Sequence, residues 1–224
     1  MSTSDLSRRA GGPALALGVL AFSGGDLLRR VVEPTSPSVA TTTAAVRAQA
    51  GTWFAAGALE LLSALLLVAG AIAVVRLAPA RGRTLTVVGA TLLGIGGIAS
   101  TGHTIGYYGT YAAYADSGLD TTALAAMNET TDALGGITIA LFMLGMLLGP
   151  VLLTTGLRRA GVVPIWIPVL AVVFVVAGAV SGVAAGLIGL LAGLVAFGYV
   201  GLIITRSRTA TPVPTPRPQP SPAI

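Results

Sequence analysis

The amino-acid sequence predicts an all-α fold: a polytopic membrane helix bundle of six transmembrane helices with both termini inside the cell. Three observations favour this fold class. Hydrophobic residues make up 54% of the 224 residues and charged residues only 9%, against roughly 25% charge in soluble domains. Six long apolar stretches fill most of the chain. The arginines between these stretches fall mainly on alternate connections, and this asymmetry indicates an orientation.

The first predicted span covers about residues 11–28 and follows two arginines. A charged start before a short apolar run is also typical of a signal peptide, with a cleavage site at residues 38–40. Because Asp26, Arg29 and Arg30 lie between the apolar run and that site, a retained helix is the favoured interpretation. In such a helix Asp26 and Arg30, four residues apart, are predicted to pair at the outer end of the span. Residues 33–52 are rich in Pro and Thr and are predicted to form a polar loop.

Three further spans are predicted at about residues 53–75, 84–106 and 132–157. The short connection 76–83 contains three arginines, whereas the long polar segment 107–131 contains acidic residues and no basic residue. This contrast predicts that the first connection is cytoplasmic and the second lies outside the cell.

The last two spans come from one uncharged stretch, residues 161–205. At 1.5 Å per residue, such a helix would measure roughly 67 Å, about twice the thickness of a bilayer core. The stretch is therefore predicted to form spans at about residues 161–181 and 185–205, joined by a tight turn near Gly182. Residues 206–224 contain alternating prolines and are predicted to form a disordered cytoplasmic tail.

Orientation and source follow from the basic residues. With a cytoplasmic N-terminus, ten of the 13 arginines fall on inside segments and three on outside segments, as the positive-inside rule requires. The chain has no lysine and a single asparagine, and this avoidance of AT-rich codons indicates a GC-rich bacterial genome. We therefore expect a multi-pass protein of the bacterial cytoplasmic membrane.

Missing residue types exclude several chemistries. The absence of Cys excludes iron–sulfur clusters, thiolate metal sites and covalently attached haem. The absence of Lys excludes Schiff-base cofactors and the P-loop lysine. A single His makes a poor zinc site. The basic residues flank apolar spans and form no separate patch, which argues against nucleic-acid binding. No catalytic residue, metal site or cofactor is predicted.

Six polar side chains form a candidate pocket. Glu60, in the second span, is the strongest signal, because a carboxylate within the hydrocarbon core is costly and usually functional. On the predicted topology, the members lie in the outer half of the membrane and could line one outward-facing pocket: Asp26, Arg30, Glu60, His103, Tyr107 and Asp132. The alternative is that each lies at its own interface, with Glu60 protonated or paired with an arginine and the tyrosines forming an interfacial belt.

Glycines four residues apart predict close helix packing, as in the pairs Gly145/Gly149 and Gly189/Gly193. Packing within one chain is the favoured interpretation, and a homodimer face is the alternative.

The order of features resembles an uncharacterised family of bacterial six-helix membrane proteins, defined only as a domain of unknown function. The resemblance is carried by the opening Ser7-Arg8-Arg9, the arginine-ended first helix, the Pro/Thr-rich outer loop, and residues 156–166, where a basic loop precedes an apolar-Pro-x-Trp stretch. It covers about residues 7–205. The resemblance implies the fold but no activity, and it assigns no site residues.

Two classes of function remain. The favoured class is a structural or accessory envelope component that contacts the lipid bilayer and an unidentified membrane protein or a second copy of itself. The alternative is a small transporter or sensor with an outward-facing proton or cation site around Glu60. An intramembrane enzyme is the third and weakest alternative. Whether Glu60, His103 and Asp26 converge on a cavity or face lipid distinguishes the first two classes.

Overall fold

A computed structural model describes the backbone of residues 3–34, 36–129 and 133–206. Within these ranges the chain forms nine α-helices and one π turn, and no strand. The predicted proline-rich tail after Arg206 and the candidate residue Asp132 lie outside the described residues. The helices are α1 (Thr3–Val32), α2 (Val39–Ala48), α3 (Ala50–Leu77), α4 (Arg83–Thr104), α5 (Thr110–Ser117), α6 (Thr122–Glu129), α7 (Ala133–Arg159), α8 (Trp166–Ala179) and α9 (Val183–Arg206).

Five of the described helical segments are long and apolar enough to cross a membrane, so the prediction of a helical membrane bundle is confirmed at this level. They are Arg9–Val32, Ala50–Leu77, Arg83–Ser117, Ala133–Arg159 and Val183–Arg206. Helix α8 is apolar but has only 14 residues. Its length of about 21 Å is less than a bilayer core of about 30 Å. Six crossings and their orientation stay predictions.

The six apolar helices close into a ring in the order α1, α3, α4, α7, α8, α9 and back to α1. Glycines mark the closest approaches within this ring. A Cβ on Gly70 of α3 would lie 2.7 Å from the Cα of Leu15 in α1. A Cβ on Gly12 of α1 would lie 2.4 Å from the carbonyl oxygen of Gly201 in α9. Helix α1 is therefore integrated into the bundle on two sides.

Helices α4 and α7 pack in the same way. A Cβ on Gly145 of α7 would lie 2.4 Å from the Cα of Gly96 in α4, and one on Gly149 would lie 2.8 Å from the nitrogen of Leu93. The interpretation of the Gly145/Gly149 pair as packing within one chain is confirmed. Bare backbone at these positions lets two membrane helices come into van der Waals contact.

The two ends of the bundle differ in charge. At one end the long helices carry arginines, and we call it the arginine end: Arg9, Arg76, Arg83, Arg159 and Arg206. At the other end lie all the carboxylates whose side chains are described, and we call it the acidic end: Asp26, Glu33, Glu60, Asp116 and Asp120.

Helical structure extends beyond two of the predicted boundaries. The third span does not end at residue 106, because the π turn Ile105–Gly109 joins α4 to α5. The predicted polar segment 107–131 is thus helical in its first part, which packs two buried tyrosines against Trp53. The predicted loop 33–52 likewise contains α2, which begins at a capping box formed by Ser38.

The fifth span is shorter than predicted. Helix α8 begins at Trp166 rather than near residue 161, because residues 160–165 form a turn after α7. It ends at Ala179, before the predicted tight turn, where Gly182 has a φ of 97°. A glycine suits this left-handed conformation, since it lacks the Cβ that would clash.

Candidate functional site

Glu60 lies on the buried face of α3, which it shares with Trp53, Gly57 and Ser63 as the spacing predicts. Its side chain is 5% exposed. Space for it comes from Gly25 on α1, where a Cβ would lie only 2.9 Å from the Cγ of Glu60. A glycine on the facing helix therefore makes room for a carboxylate inside the bundle.

Two neutral hydroxyls hold the Glu60 carboxylate. Tyr108 donates to Oε1 at 2.7 Å, and Thr104 donates to Oε2 at 3.1 Å. No arginine or histidine forms an ion pair with Glu60 among the described side chains, so the pairing with an arginine that the sequence suggested does not occur. An ionised Glu60 would consequently have hydrogen-bond donors but no direct counter-ion.

A chain of ion pairs lies beside Glu60. Arg29 donates to Asp26 at 2.6 Å and also to Glu33, whose second oxygen accepts a hydrogen bond from Tyr107. The Nε of Arg30 lies 2.6 Å from the other oxygen of Asp26, which confirms the predicted pair four residues apart. The carboxylates of Asp26 and Glu33 are thus occupied by arginines, in contrast to Glu60.

Arg30 also closes the end of the short helix α8. Its guanidinium is buried and donates to four backbone carbonyls at the end of α8 and in the turn to α9: those of Ala177, Gly178, Val180 and Gly182. The last carbonyls of a helix have no partner within the helix, and they are costly to leave unpaired inside a membrane. Arg30 therefore satisfies a helix end and is not itself part of the cavity lining.

A cavity of about 400 Å³ lies next to these groups at the acidic end. Four of the six residues predicted from the sequence line it: Asp26, Glu60, His103 and Tyr107. Arg30 lies behind Asp26, and Asp132 is outside the described residues. Glu60, His103 and Asp26, whose arrangement bears on the choice between the two functional classes, therefore converge on a cavity.

Aromatic rings form much of the cavity wall. The imidazole of His103 stacks on Phe142, with ring centroids 5.2 Å apart and planes inclined by 16°, and it also stacks on Tyr107 at 5.6 Å. Phe22 and Phe174 complete the wall in an edge contact with centroids 6.4 Å apart. The cavity thus combines π faces with the carboxylates of Asp26 and Glu60 and with the guanidinium of Arg29, which is paired with Asp26.

Two polar groups of the cavity lack a partner. The hydroxyl of Ser23, in a residue that is 5% exposed, has no hydrogen-bond partner within the described part of the chain. Neither ring nitrogen of His103 has one among the same residues, and its contacts there are the two ring stacks. Buried polar groups are normally paired, so the buried hydroxyl of Ser23 marks a place where a bound molecule can supply the missing bond, whereas His103 is half-buried.

Sequence reasoning missed Ser23, Arg29, Thr104 and Tyr108. The spacing of three and four residues fits His103 and Tyr107 as well as Thr104 and Tyr108, one residue further along the same helix. Tyr108 is 4% exposed and its ring lies 4.7 Å from that of Trp53. The tyrosines therefore form a buried cluster rather than an exposed interfacial belt.

No group of three His, Asp or Glu side chains that could hold a metal ion occurs among the described residues. Comparison of the chain with known protein families, curated proteins and solved structures gives no match. The fold and the cavity together define a helical membrane protein with a buried polar site, and the chemistry of that site is the basis for a function.

Proposed function

We propose that this protein is a small transporter or sensor of the bacterial cytoplasmic membrane that binds a proton or a small organic cation at Glu60. The observation that carries the proposal is a buried carboxylate that lines a cavity, accepts hydrogen bonds from two hydroxyls and forms no salt bridge among the described residues, because Arg29 beside it is paired with Asp26 and Glu33. A structural tie would require no cavity beside the carboxylate.

Charge balance supports a cationic ligand. The polar cluster contains three carboxylates, those of Asp26, Glu33 and Glu60, but only two guanidiniums, those of Arg29 and Arg30. With all five groups ionised, its formal charge is one negative unit. An uncompensated charge is expensive in a medium of low dielectric constant, so Glu60 must take up a proton or a cation.

The lining favours an organic ammonium over a divalent metal ion. Aromatic faces attract ammonium groups, and Phe22, Phe142 and Phe174 supply such faces around the carboxylate. The unpaired hydroxyl of Ser23 can accept a hydrogen bond from an ammonium N–H group. A calcium ion would need about six or more oxygen ligands, far more than Glu60 and Ser23 provide.

We further propose six crossings, the number that the resemblance implies, with the arginine end in the cytoplasm. The concentration of arginines at one end of the bundle supports this orientation. In this six-crossing arrangement, the fifth crossing consists of the short helix α8 and the turn between α8 and α9, whose carbonyls are bound by Arg30. The cavity then lies in the outer half of the membrane, open to ligands from outside the cell.

The test compares the wild-type protein with Glu60→Gln, which keeps the size and the hydrogen-bond acceptor but removes the charge. Thermal unfolding of purified protein is measured from about pH 5 to about pH 8, with methylammonium and tetramethylammonium as probes. A probe at about 100 times its Kd should stabilise the wild type by about 2–3 kcal/mol and leave Glu60→Gln unchanged.

Asp120→Asn is the matched control. Asp120 lies at the same end of the bundle, but it is fully exposed and belongs neither to the polar cluster nor to the cavity lining. This variant should keep the response to the probes. Identical responses of wild type and Glu60→Gln to pH and to both probes would refute the site and leave the accessory envelope role.

A further inference from the structure

A second recess, of about 700 Å³, shares no lining residue with the polar cavity. It is a groove between α3 and the continuous segment of π turn and α5, and we call it the α3–α5 groove. Trp53 and Tyr108 line it, and small residues leave it open: Gly57, Ala58, Gly109, Ala112 and Ala113. At its rim, Phe54 is 78% exposed. The groove is therefore an apolar slot on the outer surface of the bundle.

The length of the groove matches one leaflet of a bilayer. Its lining runs along α3 from Ala50 to Leu61, a rise of about 16 Å at 1.5 Å per residue. Half of a hydrocarbon core of about 30 Å measures about 15 Å. One acyl chain lying along the groove would thus reach from the headgroup region to the middle of the membrane.

Two opposite charges lie at the headgroup end of the groove. The Nε of Arg47 donates to the carbonyl of Ala115 at 2.7 Å, which ties α2 to α5 and holds the guanidinium at the groove. The terminal nitrogens of Arg47 and the carboxylate of Asp116 have no partner among the described residues, and the two side chains form no ion pair with each other. A positive and a negative group are therefore both available to one ligand.

We propose that the α3–α5 groove binds a glycerophospholipid with a phosphoethanolamine headgroup. The acyl chain lies between α3 and α5, the phosphate contacts Arg47, and the ammonium contacts Asp116. Charge complementarity selects a zwitterionic headgroup, because its two opposite charges match the two free groups. Ethanolamine is favoured over choline because its ammonium N–H groups can donate a charge-assisted hydrogen bond to Asp116. An anionic phosphoglycerol headgroup would leave Asp116 facing negative charge with no ammonium to compensate it.

The test titrates the detergent-purified full chain with phosphatidylethanolamine and phosphatidylglycerol of identical acyl chains and counts bound lipid by native mass spectrometry. The wild type should prefer phosphatidylethanolamine by about tenfold, the value of one charge-assisted hydrogen bond. Asp116→Asn should abolish this preference while retaining lipid. Equal binding of both lipids by the wild type would overturn the headgroup assignment.

A pair of tryptophan substitutions tests the groove itself. Ala112→Trp fills the slot, whereas Ala140→Trp places the same side chain on an exposed position of α7 outside it. Only Ala112→Trp should lose the bound lipid. Undiminished lipid binding by Ala112→Trp would overturn the proposal. A wild type that forms a lipid-free dimer, which Ala112→Trp converts to a monomer, would also overturn it, because a second copy of the chain would then occupy the groove.

Discussion

Near the arginine end, α4 and α7 approach so closely that a Cβ on Gly89 would lie 2.2 Å from the backbone nitrogen of Leu153. Towards the acidic end the same two helices diverge, and a Cβ on Gly102 would meet only the side chain of Thr138, at 3.2 Å. Polar and aromatic side chains occupy the space that the divergence creates. Backbone contact thus holds α4 and α7 together near the arginine end, and side chains separate the same two helices towards the acidic end.

The difference in helix separation between the two ends indicates which end can hold a ligand. The ion pairs found in the described part of the chain join Asp26, Arg29, Arg30 and Glu33, all at the acidic end. Helices in backbone contact leave no room for a ligand, whereas helices held apart by side chains can enclose one. The polar cavity and the α3–α5 groove both lie towards the acidic end, where side chains hold helices apart.

The largest effect should come from Arg30→Met. The substitution leaves Asp26 with one arginine instead of two and removes the donor to four carbonyls at the end of α8. Removing one partner of a buried ion pair costs about 3–5 kcal/mol, and reversible unfolding in detergent would measure it. Arg30→Lys should recover only part of the lost stability. An ammonium has three donors on one atom and cannot reach Asp26 and four carbonyls as a guanidinium does.

Arg206→Met is the control for this experiment, since Arg206 is exposed at the arginine end. It should change the free energy of unfolding by less than about 0.5 kcal/mol. A similar loss of stability in both variants would show that the end of α8 does not depend on Arg30.

A smaller loss of stability is expected from Gly89→Ala, which tests the backbone contact between α4 and α7 near the arginine end. The added methyl group would overlap the backbone of Leu153, so the helices must separate, at a cost of about 1–3 kcal/mol. Gly198→Ala is the matched control, because a Cβ there meets no atom within 4 Å. It should be neutral or stabilising by up to about 1 kcal/mol, since Ala favours a helix over Gly. Equal unfolding temperatures for the two variants would contradict the backbone contact.

The smallest effect should follow from Asp120→Ala, at the exposed edge of the acidic end. Asp120 accepts hydrogen bonds from the N–H of Thr122 at 3.0 Å and from its hydroxyl at 2.8 Å, and these bonds lower the pKa of Asp120. Because the folded pKa lies below the unfolded one, the stabilisation exists above the unfolded pKa and disappears as the pH falls through the folded pKa.

Amide exchange at the start of α6 measures this local effect. The protection of the Thr122 amide, measured as its exchange rate relative to the intrinsic rate at the same pH, should decrease in Asp120→Ala at neutral pH, and in the wild type only at acidic pH. Global unfolding should not change, because the side chain is fully exposed. Unaltered exchange would mean that the turn before α6 does not depend on Asp120.

The sequence by itself determined the class of fold and much of the candidate site. A backbone in hydrocarbon must pair its own polar groups, so long apolar stretches can only be membrane helices. A carboxylate within such a stretch stands out, which is why Glu60 was identified without a structure. The pair of Asp26 and Arg30 was found for a similar reason, since residues four apart on a helix are neighbours.

Only the tertiary structure decided how these residues are used. The rotation of α4 about its axis brings Thr104 to Glu60, and the π turn that follows carries Tyr108 to the same carboxylate. Helical spacing alone cannot choose between two faces that differ by one residue. The partners of Arg30 lie about 150 positions away, on the turn after α8. Such contacts depend on how helices pack against each other, and side-chain periodicity within one helix carries no information about that packing.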